Sequence, residues 1–369
     1  MNQNQPIKIC MVIDREHTQS ESQLLLNLAT NIDKNKFEVE VLTTGDSWLT
    51  QKIASLNLKV NIFETAGFSL GRNKKLAAML IEKKYEIVHT IGPEADNLMR
   101  SACAKAKVKI VSSINHIYEI DRKSFYKNLK QNSKKNQSAK IIFPTQTLAE
   151  NFAKKNFASN YNSEIISAGV DTEQFEIDAA VRENARWDLE LYSNQTAVFF
   201  IGELTEESGI GTFLKMVSKL MKDEISPTFF VVGKGPQERL VNRFCIRARS
   251  ADIKYLGVES SIERYYQAAD ICVVPRKCED SNFEILQALA CEVPIVASRM
   301  SGIEELVESG KNALLAPSSD AEAFARAVRA LVNNEPMRKM LAENSHEKIA
   351  TNYKLSAIIE KYEALYLEL

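Results

Sequence analysis

The stretch Asp270 to Ser298, DICVVPRKCEDSNFEILQALACEVPIVAS, sets one carboxylate, Glu279, in a polar loop between two apolar runs. Ile271-Cys272-Val273-Val274 reads as a strand that ends at Pro275, which lacks the N–H a ladder needs. The loop continues from Arg276 to Ser281, a helix follows from about Asn282 to Glu292, and Pro294 opens a second β-branched strand. Both strands are too uniformly apolar for a sheet with one wet face and suit a parallel sheet covered on both sides. Ligands of such sheets sit beyond the carboxyl ends of the strands, so Glu279 stands where a bound molecule would be met. Gln287 is a lone polar side chain on a helix apolar on most sides, with Phe283, Ile285, Leu286 and Leu289 around it. It can serve a ligand or bond locally.

A second place invites phosphate. The helix expected over Gly211–Met221 follows the segment Gly202-Glu203-Leu204-Thr205-Glu206-Glu207-Ser208-Gly209. Helix N-termini hold anions, yet Glu206 and Glu207 stand at this one, where carboxylates also favour the helix dipole. Val231-Val232-Gly233-Lys234-Gly235-Pro236 reads as a strand and a glycine turn, and fails as a dinucleotide fingerprint for want of the third glycine. His116 ends the run Ile110-Val111-Ser112-Ser113-Ile114-Asn115 and reads either as a structural or as an active-site group. Ser20 with Gln23, Ser281 with Glu284 and Ser301 with Glu304 carry capping-box spacing, so three helix starts are expected to be closed by their own side chains.

The elements that must position these residues alternate regularly. Strands are expected at 7–13, 37–43, 60–63, 87–90, 110–114, 141–143 and 165–167, with helices between them and a weaker helix at 121–135. That βα repeat predicts a Rossmann-like domain over 1–176. After a polar stretch at 178–195 the pattern restarts, with strands at 197–201, 228–232, 253–256 and 271–274, and predicts a second such domain over 177–352. A last helix occupies about 355–367, within a C-terminal segment 353–369.

A chain of 369 residues with net charge -1 is large enough for two cores and shows no global field for nucleic acid. Cysteines 10, 103, 245, 272, 278 and 291 have neither CxxC nor Cys/His spacing, and reduced thiols in the cytosol are the plain expectation. The start MNQNQPIKICMVID lacks the pattern of a signal peptide, and no window approaches the ~18 apolar residues of a spanning helix. Residues 122–140 hold seven Lys/Arg and no acid, interleaved with Phe125, Tyr126 and Leu129. They read as a solvated face, or as a peripheral, salt-sensitive membrane contact.

The segment around Glu279 resembles the donor-site signature of retaining GT-B glycosyltransferases of group 1 (family 4): an acidic residue, seven positions, a second Glu, then Ala-x-Ala-x-x-x-Pro-x-Val. Glu279, Ala288, Ala290, Pro294 and Val296 fit it, and Gln287 replaces the second Glu. Gly202-Glu203-Leu204 with Ser208-Gly209 occupies the family's Gly-Arg-Leu-x-x-x-Lys-Gly position, where Arg and Lys neutralise the donor diphosphate. Charge-assisted bonds contribute about 1.5–3 kcal/mol each, so losing two weakens a nucleoside-diphosphate sugar by about 10² to 10⁴. Gly-Gly-x-Glu before the first helix is replaced by Gln19-Ser20-Glu21-Ser22, and Gly-Gly-x-Pro-Glu by a segment that keeps Glu305 as its final carboxylate.

The resemblance implies an α/β GT-B fold, two Rossmann-like doubly wound domains facing across a cleft, with the last helix packed back on the first domain. It implies that Glu279 stabilises the transferred sugar, that His116 lies near the acceptor, and that Gln287, Glu305, Gly202, Gly233, Gly235, Glu203 and Ser208 hold donor positions. It further implies a hexose moved with retention from a UDP- or GDP-linked nucleotide sugar to an envelope polysaccharide or lipid-linked acceptor, as a glycan or glycolipid, without metal. The expected location is cytoplasmic, with residues 122–140 as a candidate contact at the inner membrane face. The altered diphosphate positions support a second reading, a catalytically silent relative acting as a subunit of a partner glycosyltransferase or as a saccharide-binding module.

Overall fold

The computed structural model describes residues 5–15, 18–64, 71–116, 140–156, 162–222, 227–248, 253–258 and 261–369. The helix expected at 121–135 and the basic run, apart from Lys140, lie outside these residues. The chain forms two units, one of Met1–Ala168 with Ser356–Leu369 and one of Gly169–Leu355.

In the first unit the strands are β1 (Ile7–Ile13), β2 (Phe37–Thr43), β3 (Lys59–Ile62), β4 (Ile87–Ile91), β5 (Lys109–Ser113), β6 (Lys140–Phe143) and β7 (Ser163–Ile165), in the order β3-β2-β1-β4-β5-β6-β7. All pairs are parallel; Ile9 of β1 stands opposite Val39 on one side and Ile87 on the other. The chain leaves β1 toward β2 and returns to β4 on the opposite side, so the strand order reverses between β1 and β4. Crevices at such reversals bind ligands.

The second unit contains β8 (Ala197–Ile201), β9 (Thr228–Val232), β10 (Ile253–Gly257), β11 (Ile271–Val274), β12 (Ile295–Ser298) and β13 (Ala313–Ala316), in the order β10-β9-β8-β11-β12-β13. Here the order reverses between β8 and β11. Every residue of β8, β9, β11 and β12 is buried, as a parallel sheet covered on both faces requires. Phe199 stacks on Phe230 with ring centroids 4.6 Å apart, tying β8 to β9. The helix Ile210–Leu220 turns Ile210, Phe213, Leu214 and Val217 into this core, an i, i+3, i+4, i+7 stripe.

The helix Glu335–Asn352 was not anticipated from the pattern. Its buried apolar positions are sparse, Leu341, Ala342 and Ile349, while Asn334 caps its start by accepting from the Met337 N–H at 3.0 Å. The last helix, Leu355–Glu368, buries Tyr362 and Tyr366 in the first unit. The Tyr366 hydroxyl meets His89 Nδ1 at 2.6 Å, and Glu363 accepts from the Asp33 N–H at 2.8 Å. All six cysteines are free, and among the described residues no helix is long and apolar enough to cross a membrane.

Candidate functional site

In the second unit the sequence-selected residues gather beyond the carboxyl ends of β8, β9, β11 and β12. Gly202 follows β8 and donates its N–H to Val232 O at 3.0 Å. Gly233 follows β9 with φ 139°, and a Cβ there would stand 1.9 Å from Gly202 O. The two turns therefore lie back to back, and only glycine allows it. A Cβ on Gly235 would stand 2.7 Å from Leu204 O. Glu203 sits between these turns, half-buried.

Ser208 is engaged in its own turn. Its hydroxyl donates to Thr205 O at 2.9 Å and lies 3.3 Å from the Thr205 N–H, while the Ser208 N–H donates to Thr205 Oγ1 at 3.1 Å. The helix after it starts from Gly209 in the left-handed region, with no side-chain cap. Glu206 turns to Lys277, 3.2 Å away, and Glu207 O accepts the Lys277 N–H at 2.8 Å. The loop before the helix is thus fastened to the loop after β11.

That second loop carries a cation the sequence reading passed over. Arg276 is buried, its Nη1 2.7 Å from Asp280 Oδ2 and its Nη2 2.5 Å from Glu284 Oε2. Its carbonyl accepts from the Ser298 hydroxyl at 2.6 Å and the Ser318 hydroxyl at 2.9 Å. Burial opposes the charge, but Glu284 and Asp280 outweigh it and hold the guanidinium well above the usual arginine value. Glu284 Oε1 lies against Gly202, 3.3 Å from where a Cβ would stand. The only signal in the sequence is an arginine placed directly after a strand-ending proline.

The expected caps are corrected here. The helix Phe283–Ala290 starts from Asn282, left-handed at φ 63° and without a side-chain cap. Ser281 bonds Asp280, and Glu284 bonds Arg276 instead of returning to a backbone N–H. The short helix Ser301–Glu304 likewise lacks a side-chain cap, with Glu304 on Arg299 at 3.0 Å. In both cases a nearby arginine outcompetes the neutral backbone donor for the carboxylate.

Glu279 accepts from the Gly302 N–H at 3.3 Å through Oε1, while Oε2 is buried with no hydrogen-bond partner among the described residues. Burial pushes its carboxyl above the ordinary range, Glu305 adds to this, and Gly302 and Arg276 oppose it. Glu305 itself is exposed at the end of the short helix. Gln287 is buried, and its carbonyl oxygen accepts from the Tyr266 hydroxyl at 3.1 Å. Among the described residues no three His, Cys, Asp or Glu side chains form a metal-sized group.

In the first unit His116 is buried after β5, its Nε2 3.1 Å from Glu21 Oε1. The helix Gln19–Asn31 is capped by Thr18 with Glu21, a correction to the Ser20–Gln23 pair. The Thr18 N–H donates to Glu21 Oε2 at 2.9 Å, and Ser20 lies inside the first turn. A helix start two residues earlier than the pattern suggested explains the change. Nearby Glu94 has its carboxyl raised by burial and then by the charges of Glu21 and Asp14, with His116 acting against them. His89 is sealed in the core between Tyr366 and Ser113.

Residues 195–334 match the family described as "Glycosyl transferases group 1", and residues 22–174 match "Glycosyltransferase Family 4". An uncharacterized glycosyltransferase of Methanocaldococcus jannaschii is 26 % identical over 150 residues, 40 % of this chain and 41 % of that one. Against it and two further curated relatives the chain spans 41 %, 45 % and 51 % of their length. The crystal structure of Anabaena Alr3699/HepE in complex with UDP and glucose superimposes with TM-score 0.85 at 16 % identity, covering 98 % of this chain and 100 % of that one. WaaG, described as a glycosyltransferase involved in lipopolysaccharide biosynthesis, superimposes with TM-score 0.74 at 14 % identity, covering 96 % and 98 %. Two parallel sheets with flanking helices, and this likeness, identify the fold as GT-B.

Proposed function

We propose that this chain, which belongs to the group 1 / family 4 glycosyltransferases, moves a hexose from a nucleotide sugar to a polysaccharide or lipid-linked acceptor of the cell envelope, with retention. The observation that carries the reading is Glu279. Its raised carboxyl, with one oxygen on Gly302 and the other buried without a partner among the described residues, stands at the carboxyl end of β11, beside the reversal of strand order. An acceptor oxygen in that position meets a sugar hydroxyl and stabilises positive charge developing at the anomeric carbon.

In this reading Gly202, Gly233 and Gly235 let the nucleotide approach backbone, Gln287 accepts from ribose hydroxyls, Glu305 lies by the donor and His116 faces the acceptor. Glu203 and Ser208 occupy the diphosphate positions without supplying positive charge. UDP as the donor's nucleotide is supported by the HepE complex, and an envelope acceptor by the description of WaaG. The basic stretch 122–140 is the proposed peripheral contact with the inner membrane face, and the cytoplasm the proposed location.

The buried pairing of Arg276 favours a second reading, a silent relative that binds saccharide or a partner glycosyltransferase. The buried cation of the loop after β11 is consumed by Asp280 and Glu284. Thermal shift separates the two. A donor at a hundred times its Kd adds about 2.7 kcal/mol of stability, so a UDP- or GDP-sugar at millimolar concentration should raise the melting temperature. If neither does, nor an ADP-sugar, the transferase reading falls; if one does, the anomer of the transferred sugar by NMR tests retention.

A further inference from the structure

We propose that Glu21 is a positioning residue for His116, fixing the ring as the tautomer protonated at Nε2. The inference rests on the transferase reading only for its kinetic consequence; the tautomer stands on geometry.

Three loops meet at the reversal between β1 and β4. Glu21 comes from the first turn of the helix after β1, Gly92 from the loop after β4, and His116 from the segment after β5. Gly92 has φ 92°, and a Cβ on it would stand 2.3 Å from Glu21 Oε1. Any other residue there would push the carboxylate away from the imidazole, so the backbone leaves room for this contact. Both side chains are nearly closed to solvent, at 3 % and 4 % exposure, where a hydrogen bond is stronger than in water and its geometry is held.

The two oxygens of Glu21 are already divided between two donors. Oε2 receives the Thr18 N–H at 2.9 Å, and Oε1 faces His116 Nε2 at 3.1 Å. A carboxylate only accepts, so Nε2 must carry the proton and, in the neutral ring, Nδ1 carries the lone pair. His116 therefore carries its lone pair on Nδ1, and in the transferase reading that is the atom to which a sugar hydroxyl would donate. Glu94 lies within electrostatic reach of both Glu21 and His116.

Glu21→Gln tests this without changing shape. The Thr18 N–H fixes the amide oxygen on its own side, which turns the amide NH₂ toward His116 Nε2. Nε2 must then accept, and the proton moves to Nδ1. The chain has four histidines, so ¹⁵N-histidine spectra at alkaline pH, assigned with His116→Gln, read the tautomer directly. The wild type should show Nε2–H and the variant Nδ1–H. With that inversion kcat should fall about a hundredfold while donor KM changes less than about threefold. In a His116→Ala background Glu21→Gln should add no further loss.

Thr18→Ala removes the cap hydroxyl but keeps the N–H on Glu21 Oε2, and should lower the melting temperature while His116 stays Nε2–H. Wild-type His116 found as Nδ1–H overturns the proposal, even if the variant fails to fold. So does an inverted tautomer with unchanged kcat. A wild type that shows Nε2–H but transfers no sugar from any donor counts against the transferase reading and leaves the tautomer assignment standing.

Discussion

Arg276 and Glu284, one at the end of β11 and the other in the first turn of the next helix, form a buried ion pair whose carboxylate also abuts Gly202. With Asp280 on its other amino group, the guanidinium has two carboxylates and little solvent around it. Breaking such a pair leaves charge buried without compensation, at a cost of about 3–5 kcal/mol. Arg276→Met should therefore lower the urea unfolding free energy by that amount. Adding Asp280→Asn and Glu284→Gln should recover most of it. A loss below about 1 kcal/mol in the single variant would mean that water reaches the cluster.

The diphosphate positions make a separate claim. Glu203→Arg with Ser208→Lys restores two cations at the turn after β8 and at the start of the helix Ile210–Leu220. Two charge-assisted bonds strengthen binding by about 10² to 10⁴. Part of that gain is lost because Ser208 gives up its bonds to Thr205, which hold the turn. The expected net result is at least about a tenfold tighter UDP by calorimetry. Unchanged affinity would show that the phosphates are not held at this turn.

Much of this arrangement was legible in the chain, and the limit of legibility has a physical cause. Uniformly apolar runs such as Ala197–Ile201 and Thr228–Val232 revealed a covered parallel sheet because burial on both faces leaves no alternation. The place of Glu279 followed from strand direction alone. The partners of the charged side chains did not follow. Glu284 has the spacing of a cap, yet it finds Arg276, eight residues earlier in the loop after β11. Glu21 and His116 are 95 residues apart and meet only because β1, β4 and β5 are neighbours. Thr18 and Ser20 are both fit to cap, and the chain's path into the helix selects Thr18. Local spacing carries periodicity; which hydrogen bond a polar side chain makes is decided by what the fold brings within 3 Å or so.

Glu279→Gln tests function and linkage together. The folded protein holds this carboxyl above its ordinary value of 4.5, chiefly through burial. A raised carboxyl means that the folded state binds protons more readily than the unfolded one above that value, so stability falls as pH rises through this window. The variant does not titrate. It should melt higher than the wild type at pH 7, and the gap should close as pH drops below about 4.5, where both side chains are neutral. Turnover should fall at least a hundredfold, with donor affinity nearly kept. A variant less stable than the wild type at pH 7 would place Glu279 in a favourable ionic contact, against the buried oxygen seen here.

His89 gives the first unit an acid-sensitive group. Its ring is enclosed by Tyr366 and Ser113, and burial lowers its pKa from 6.5 to about 3. A depressed histidine is neutral when folded and charged when unfolded, so its contribution is complete above pH 6.5 and declines as pH falls toward about 3. Between pH 7 and pH 5 that loss is about 2 kcal/mol. Glu40, whose pKa lies at about 2 against an ordinary 4.5, acts in the same direction but only at lower pH. The histidine thus registers in the upper window, above Glu40. The chain's two tryptophans divide between the units, Trp48 in the first and Trp187 in the second, so Trp187→Phe leaves a reporter for the first unit alone. Urea melts followed by Trp48 fluorescence should lose about 2 kcal/mol between pH 7 and pH 5. Adding His89→Gln should lower stability at pH 7, because Tyr366 loses its short bond, and should flatten this slope. A slope that persists in the glutamine variant would assign the acid sensitivity to a group other than His89.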